Sequence, residues 1–326
     1  MIFVFAGIVA LAISVILGVF GIPLLSKIKA GQPILSYVEE HKEKSGTPTM
    51  GGLFFVMAAV LAYFFFAGRS GRISYVVIAI GTAYLIVGFL DDFIKIKNRH
   101  NLGLRAYQKI LFQLAIGIIA GVFCYLNGLT VFYLPFSMRY FDFSYWTIPL
   151  VAVVLIATTN SVNLTDGLDG LAGGVSIVYL ALLFAVVSLQ LANFKLNYLD
   201  ESEYRSLLLL MICFIGGLAG FLCFNTNKAR VFMGDTGSLS LGGFLGGLSI
   251  FSGNLLFIPL FGIMFVVSSI SVILQVIYFK RTGRRIFLMA PLHHHFQHKG
   301  YTEAQICYYY CLATLIVGLF SLIVYL

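Results

Sequence analysis

Long apolar runs, each about the twenty residues that a membrane-crossing helix needs, follow one another from one end of this chain to the other. They lie near residues 2–25, 51–67, 73–90, 106–126, 146–162, 171–191, 206–224, 237–252, 255–279 and 305–326. Ten such runs in 326 residues leave no room for a separate water-soluble domain, so residues 1–326 read as one integral-membrane unit. The composition agrees, being 60% hydrophobic and only 10% charged, well outside the range of soluble domains. In hydrocarbon each segment must satisfy its own backbone polar groups. The predicted fold class is therefore all-α, a polytopic membrane protein with about ten transmembrane helices.

The first run, MIFVFAGIVALAISVILGVF, has no basic flank and no small-residue cleavage site, and is expected to stay as a span. The five cysteines, Cys124, Cys213, Cys223, Cys307 and Cys311, lie within or at the ends of apolar runs without metal-type spacing, and read as small core hydrophobes. The net charge of +8 does not point to nucleic acid, because basic residues beside membrane spans follow from topology alone. With the N-terminus outside, 16 Lys and Arg fall on the inner side and 5 on the outer. Both termini then face outward and the polar chemistry is cytoplasmic.

Polar islands interrupt this pattern. Thr158–Gly174, TTNSVNLTDGLDGLAGG, carries two carboxylates and two asparagines between apolar runs, and hydrocarbon tolerates that only where it lines protein or water. Three more islands are Asp91-Asp92 with its basic tail, Asn225–Ser238, and Pro291–Gly300 with three consecutive histidines. All fall on the inner side, and they are expected to converge on one polar cleft open to the cytoplasm. The segment 284–296 mixes basic, apolar and His residues and predicts a short helix lying on the headgroups.

Asp91 and Asp92 follow Leu90 directly, at the edge of the hydrocarbon, where an ionisable group is expensive and usually functional. In their basic tail, Lys109 lies inside the next span and is the best candidate for an anionic ligand. Asn163, Asp166 and Asp169 recur every three residues and share a broad helical face. Asp169 and Asp235 also sit where helix N-caps belong, and capping accounts for one carboxylate of a pair but not for both with Asn160 and Asn163. Several carboxylates without thiols or paired histidines suit a hard cation such as Mg²⁺. The His run is read as phosphate-contacting or acid-base rather than as a zinc site, since adjacent side chains cannot converge on one metal. Gln275, near an inner helix end, is a weaker candidate, with a bond to a neighbouring helix as the ordinary alternative. Carboxylates beside Lys and His describe phosphoryl transfer, and the membrane setting makes one substrate a lipid phosphate.

With these residues in place, the chain resembles the polyprenyl-phosphate N-acetylhexosamine-1-phosphate transferases. TPTMGG (47–52), GFLDD (88–92), NSVNLTDGLDGLAGG (160–174), FNTNKARVFMGDTGS (224–238) and PLHHHF (291–296) carry the likeness over nearly the whole length. TPTMGG and the triple His favour the phospho-N-acetylmuramoyl-pentapeptide branch over relatives that use UDP-N-acetylglucosamine. The resemblance implies that undecaprenyl phosphate and UDP-N-acetylmuramoyl-pentapeptide give lipid I and UMP, with Mg²⁺, in peptidoglycan synthesis. It also implies a bent ninth helix and a homodimer. By the same resemblance Asp235 holds the metal, Asp91 and Asp92 are the catalytic acidic pair, and His294, with His293 and His295 beside it, belongs to an essential His motif. Lys44, Thr49, Lys95, Lys109, Asn163, Asp166, Asp169, Asn225, Phe232 and Gln275 would line the substrate pocket, Phe232 stacking on uracil. A secondary transporter is the competing class, but it predicts polar residues near span midpoints in a repeated pattern. Here they cluster at inner ends and no internal repeat is found. A lipid-phosphate binder without catalysis is a third reading, separated from the enzyme by UMP release.

Overall fold

The computed structural model describes residues 1–27, 46–68, 71–98, 102–136, 139–193, 199–226 and 228–323. The long helices are α1 (Ile2–Lys27), α2 (Gly52–Phe66), α3 (Arg72–Asn98), α4 (Ala106–Leu126), α5 (Thr147–Thr165), α6 (Leu171–Asn193), α7 (Glu201–Asn225) and α8 (Gly234–Phe251). After them come a four-residue turn of helix α9 (Ile258–Phe261), α10 (Ile263–Thr282), the short α11 (Leu292–Gln297) and α12 (Glu303–Leu322). Each predicted run meets a long helix. Eight helices of the described residues are long and apolar enough to cross a membrane. The other two long helices are α2, at 15 residues, and the Gly- and Ser-rich α8, at 18.

Helix α8 is the centre of the bundle. Its residues Thr236–Phe251 are all buried, and it packs on α2, α3, α5 and α6. Its sequence GDTGSLSLGGFLGGLSIF explains this position. Small residues let neighbouring backbones come close, and close packing replaces the hydrophobic drive that lipid does not supply. At the α2–α8 crossing, a Cβ on Gly52 would collide with the backbone of Gly237.

Four features depart from the sequence expectation. Helix α3 does not stop near Leu90 but runs on to Asn98, because FIKIKN holds no breaker and its lysines suit a helix C-terminus. The connection after α4 folds into an antiparallel hairpin, β1 (Val131–Leu134) with β2 (Arg139–Asp142), pairing Val131 with Asp142 and Leu134 with Arg139. The ninth run is broken: Pro259 opens α9, and Gly262, outside helical geometry, separates it from α10. The helix expected over 284–296 forms only over Leu292–Gln297. The preceding segment stays irregular because its amides bond the Gln275 side chain. Beyond the break α10 touches mainly α5, α11 and α12, and exposes Ile270, Ile273, Leu274 and Ile277 where lipid would lie.

Candidate active site

The site forms where the C-terminal end of α3 meets the N-terminal turn of α8. Gly88 makes this meeting possible, since a Cβ there would run into the Asp235 carbonyl. The continued helix then presents Asp91, Asp92 and Lys95 to α8. Asp92 is fully buried, and its Oδ1 accepts from the Asp235 amide at 3.2 Å. Its Oδ2 accepts from the Thr236 amide at 2.9 Å and the Thr236 hydroxyl at 2.7 Å. An anion on the orphan amides of a helix N-terminus is favourable both as a cap and against the helix dipole. Asp92 thus docks α8 onto α3, and Gly234, at φ +72°, keeps the approach clear of a side chain.

Asp91 and Asp235 face one another across two lysines. Lys95 Nζ lies 2.6 Å from Asp91 Oδ2 and 3.1 Å from Asp235 Oδ2. Lys109 Nζ, from the first turn of α4, lies 2.6 Å from Asp235 Oδ2 and 3.1 Å from Asp91 Oδ1. Asp91 Oδ1 also accepts from the Leu104 amide at 2.8 Å, which ties the connection before α4 to the cluster. From α5, the Asn163 amide donates to Asp235 Oδ1 at 2.8 Å and to the Ser238 hydroxyl at 2.7 Å. Asp91 and Asp92 are sealed, whereas the Asp235 side chain keeps 14% of its surface exposed. One oxygen from each of Asp91, Asp92 and Asp235 lies within 4.8 Å of the other two. An all-carboxylate donor set at that spacing fits a hard divalent cation such as Mg²⁺.

A second group surrounds the turn between α5 and α6. The Asp169 carboxylate accepts from the Ala229 amide at 2.9 Å, and the Asp169 amide donates to Glu303 of α12 at 3.1 Å. Asn225 bridges the same two loops, accepting from the Gly170 amide at 3.1 Å and donating to the Val231 carbonyl at 2.8 Å. Asp166, just past the end of α5, keeps partial access to solvent. Protein nevertheless surrounds it closely enough that burial, then the negative charges of Asp235, Asp92 and Asp169, push its carboxyl up to about 8. The segment before α2 joins this group through the backbone: the Phe232 amide donates to the Pro48 carbonyl at 2.8 Å and the Gly51 amide to the Phe232 carbonyl at 2.9 Å. Thr49 is buried beside Gly234, and the Phe232 ring remains half-buried. Lys44 lies outside the described residues.

The His segment closes against the α5–α6 turn. His293 is buried with its imidazole against Gly167. His294 Nδ1 lies 2.7 Å from Gln297 Oε1. His295 Nδ1 accepts from the Leu288 amide at 3.1 Å, and desolvation together with the charges of Lys299 and His298 keeps its pKa below the ordinary histidine value. Gln275 accepts from the Ile286 and Phe287 amides, both at 3.0 Å, so its side chain pins the loop after α10.

The sequence model of glycosyl transferase family 4 matches residues 74–253, which span α3 to α8 and hold both acidic groups. A phospho-N-acetylmuramoyl-pentapeptide-transferase signature matches residues 44–56. The chain is 40% identical over 314 residues to the phospho-N-acetylmuramoyl-pentapeptide-transferase of Caldanaerobacter subterraneus subsp. tengcongensis, covering 96% of this chain and 95% of that one. It is 40% identical over 326 residues to the protein of that name from Desulfitobacterium hafniense, covering 98% and 97%. The like-named protein of Heliobacterium modesticaldum is 41% identical over 319 residues, covering 96% and 94%. The chain belongs to glycosyl transferase family 4, among the phospho-N-acetylmuramoyl-pentapeptide-transferases. The family match contains Asp91, Asp92, Lys95, Lys109, Asn163, Asp166, Asp169, Asn225, Phe232 and Asp235. The signature contains Thr49, whereas Gln275 and the three histidines fall outside both matches.

The sequence reading did not assign Thr236, Ser238 or Glu303. Thr236 and Ser238 stand inside the quoted FNTNKARVFMGDTGS motif, where a hydroxyl after an acidic residue is the available signal. Glu303 has none, because it meets Asp169 across 134 positions of chain.

Proposed function

We propose that this chain is a Mg²⁺-dependent transferase that moves phospho-N-acetylmuramoyl-pentapeptide from its UDP carrier to undecaprenyl phosphate, giving lipid I and UMP. The observation that carries the reading is the triad of Asp91, Asp92 and Asp235 interleaved with Lys95 and Lys109, at the ends of apolar helices. Family membership and full-length similarity to proteins of that name support the substrates. Three carboxylates would hold the cation, with Asp235, the one still open to solvent, as its principal ligand. When bound, Mg²⁺ neutralises diphosphate charge and steadies the leaving UMP.

The chain's own residues do the rest. Asn163 turns Asp235 by bonding one carboxylate oxygen. Asp92 fixes the first turn of α8, and with it the position of Asp235. Lys95 and Lys109 supply positive charge for the phosphates. The uracil is placed on Phe232, beside the Asp169–Ala229 pin, with Lys44, Thr49, Asp166 and Asn225 around the nucleotide. His294 and His295 face the phosphate or peptide end, and Gln275 holds their loop. We read the chemistry as one step: a lipid phosphate oxygen bonds to the β-phosphorus as the bond from that phosphorus to the UMP oxygen breaks. Asp91 is assigned to orienting and deprotonating the lipid phosphate, a role that needs Lys109 to move off its carboxylate, which is sealed while the lysines hold it. The enzyme is read as a homodimer in the bacterial plasma membrane, with its site on the cytoplasmic face.

The test is UMP release by purified protein. Wild type with lipid phosphate and Mg²⁺ should release UMP, and Asp235→Asn should lower the rate at least ~100-fold while keeping its fold. A near-normal rate in Asp235→Asn would sink the metal assignment. A stoichiometric UMP burst in lipid-free enzyme, absent in Asp91→Asn, would replace the single step with a covalent phospho-enzyme.

A further inference from the structure

The two lysines of the cluster stand where a cation would have to enter. Asp235 Oδ2 has Lys109 Nζ at 2.6 Å and Lys95 Nζ at 3.1 Å. Its other oxygen holds the Asn163 amide, and both Asp92 oxygens hold the first turn of α8. Three carboxylates against two ammoniums leave one net negative charge, so the cluster is nearly neutral by itself. Breaking such a partly buried arrangement costs energy unless each freed charge finds a new partner.

Mg²⁺ binds a carboxylate oxygen at roughly 2.0–2.1 Å. Two ammoniums sharing that oxygen would repel it across a space that protein screens poorly. The lysines are not equivalent in this respect. Lys95 stands one helical turn from Asp91 on α3 and makes its shortest contact there, at 2.6 Å. It can stay. Lys109 comes from the separate helix α4 and makes its shortest contact with Asp235 itself, and its side chain is part-exposed, as is that of Lys95.

We infer that Lys109 is the resident counterion of the metal site, neutralising Asp235 at rest and leaving that oxygen when a divalent cation binds. Its ammonium is thereby released to an arriving diphosphate. The inference rests on the metal assignment made for the proposed transferase. It adds an order to the site: the lysine becomes available to phosphate only after the cation has replaced it. Metal and diphosphate then favour each other's binding.

The test uses the full chain in detergent with no substrate. Mn²⁺ binding is read by electron paramagnetic resonance for wild type, Lys109→Met, Lys95→Met and Asp235→Asn. Lys109→Met should bind Mn²⁺ at least ~10-fold tighter than wild type, and Lys95→Met should gain less. In wild type, amine labelling read residue by residue should rise several-fold at Lys109 on adding Mg²⁺, and should stay constant at Lys95. Unchanged or weaker Mn²⁺ binding in folded Lys109→Met overturns the inference. So does labelling of Lys109 that Mg²⁺ leaves unchanged or suppresses, a measurement that needs no substitution. Loss of Mn²⁺ binding in Asp235→Asn alongside either failure leaves the metal assignment standing and removes this inference alone. Wild-type Mn²⁺ affinity in Asp235→Asn removes both.

Discussion

At Asp92 both carboxylate oxygens are taken by the first turn of α8, while one residue earlier Asp91 is held by two lysines and the Leu104 amide. Substitution should separate these roles. Asp92→Asn turns a donor toward the Thr236 amide and removes a charge from the helix N-terminus. It should lower stability by about 1–3 kcal/mol, the cost of a buried polar group that loses its partner. Denaturant unfolding checks this, and an unchanged midpoint would refute the docking role. Asp166 makes a prediction in pH. Its folded value is raised to about 8, above the ordinary 3.8 expected when unfolded. Between those values the folded state binds the extra proton, so stability falls as pH rises through that window. Asp166→Asn, melted without divalent cations between pH 5 and 8, should show a flatter loss of stability with pH than wild type. Equal slopes would argue against the raised value.

At the scale of helices, the site depends on how closely α3 and α8 approach. Gly88 faces the Asp235 carbonyl, and backbone, unlike the end of a flexible side chain, cannot step aside cheaply. Gly88→Ala should push the two helices apart, destabilising by roughly 1–3 kcal/mol as overpacking does. Because it moves Asp235 away from Asp91, the same change should lower the UMP-release rate at saturating substrate more than it raises KM. Wild-type stability and rate together would show that the contact has slack. The helical runs themselves were legible from hydropathy, and the polar islands at their ends from the expense of burying them. The extension of α3 to Asn98 was not, because a charged helix end and a solvated loop share one composition. Nor was the break at Gly262, since an apolar run containing Pro259 and Gly262 reads equally well as a continuous bent span.

Over the whole molecule, the basic loops and the polar islands lie on one side in the proposed topology. The last turn of α10 carries Arg281 and the segment after it Arg284 and Arg285, all exposed. Trypsin should therefore cut there in inverted membrane vesicles and leave the segment intact in right-side-out spheroplasts. The reverse pattern would overturn the topology. The sequence by itself determined an all-α membrane protein with polar islands at the ends of its apolar helices, and named many of the residues that meet in the acidic cluster. It could do so because hydrocarbon penalises every unpaired polar group, so each polar position kept among apolar runs marks a place that is not lipid. Which of those groups pair was decided only by the tertiary structure. Asp92 with Thr236, Asp235 with Lys109 and Asp169 with Glu303 stand 144, 126 and 134 residues apart. No local pattern encodes such pairings. The first two follow from the glycine-lined crossings that carry α8 into the centre of the bundle and bring its first turn against α3, and the third from α12 packing beside the α5–α6 turn.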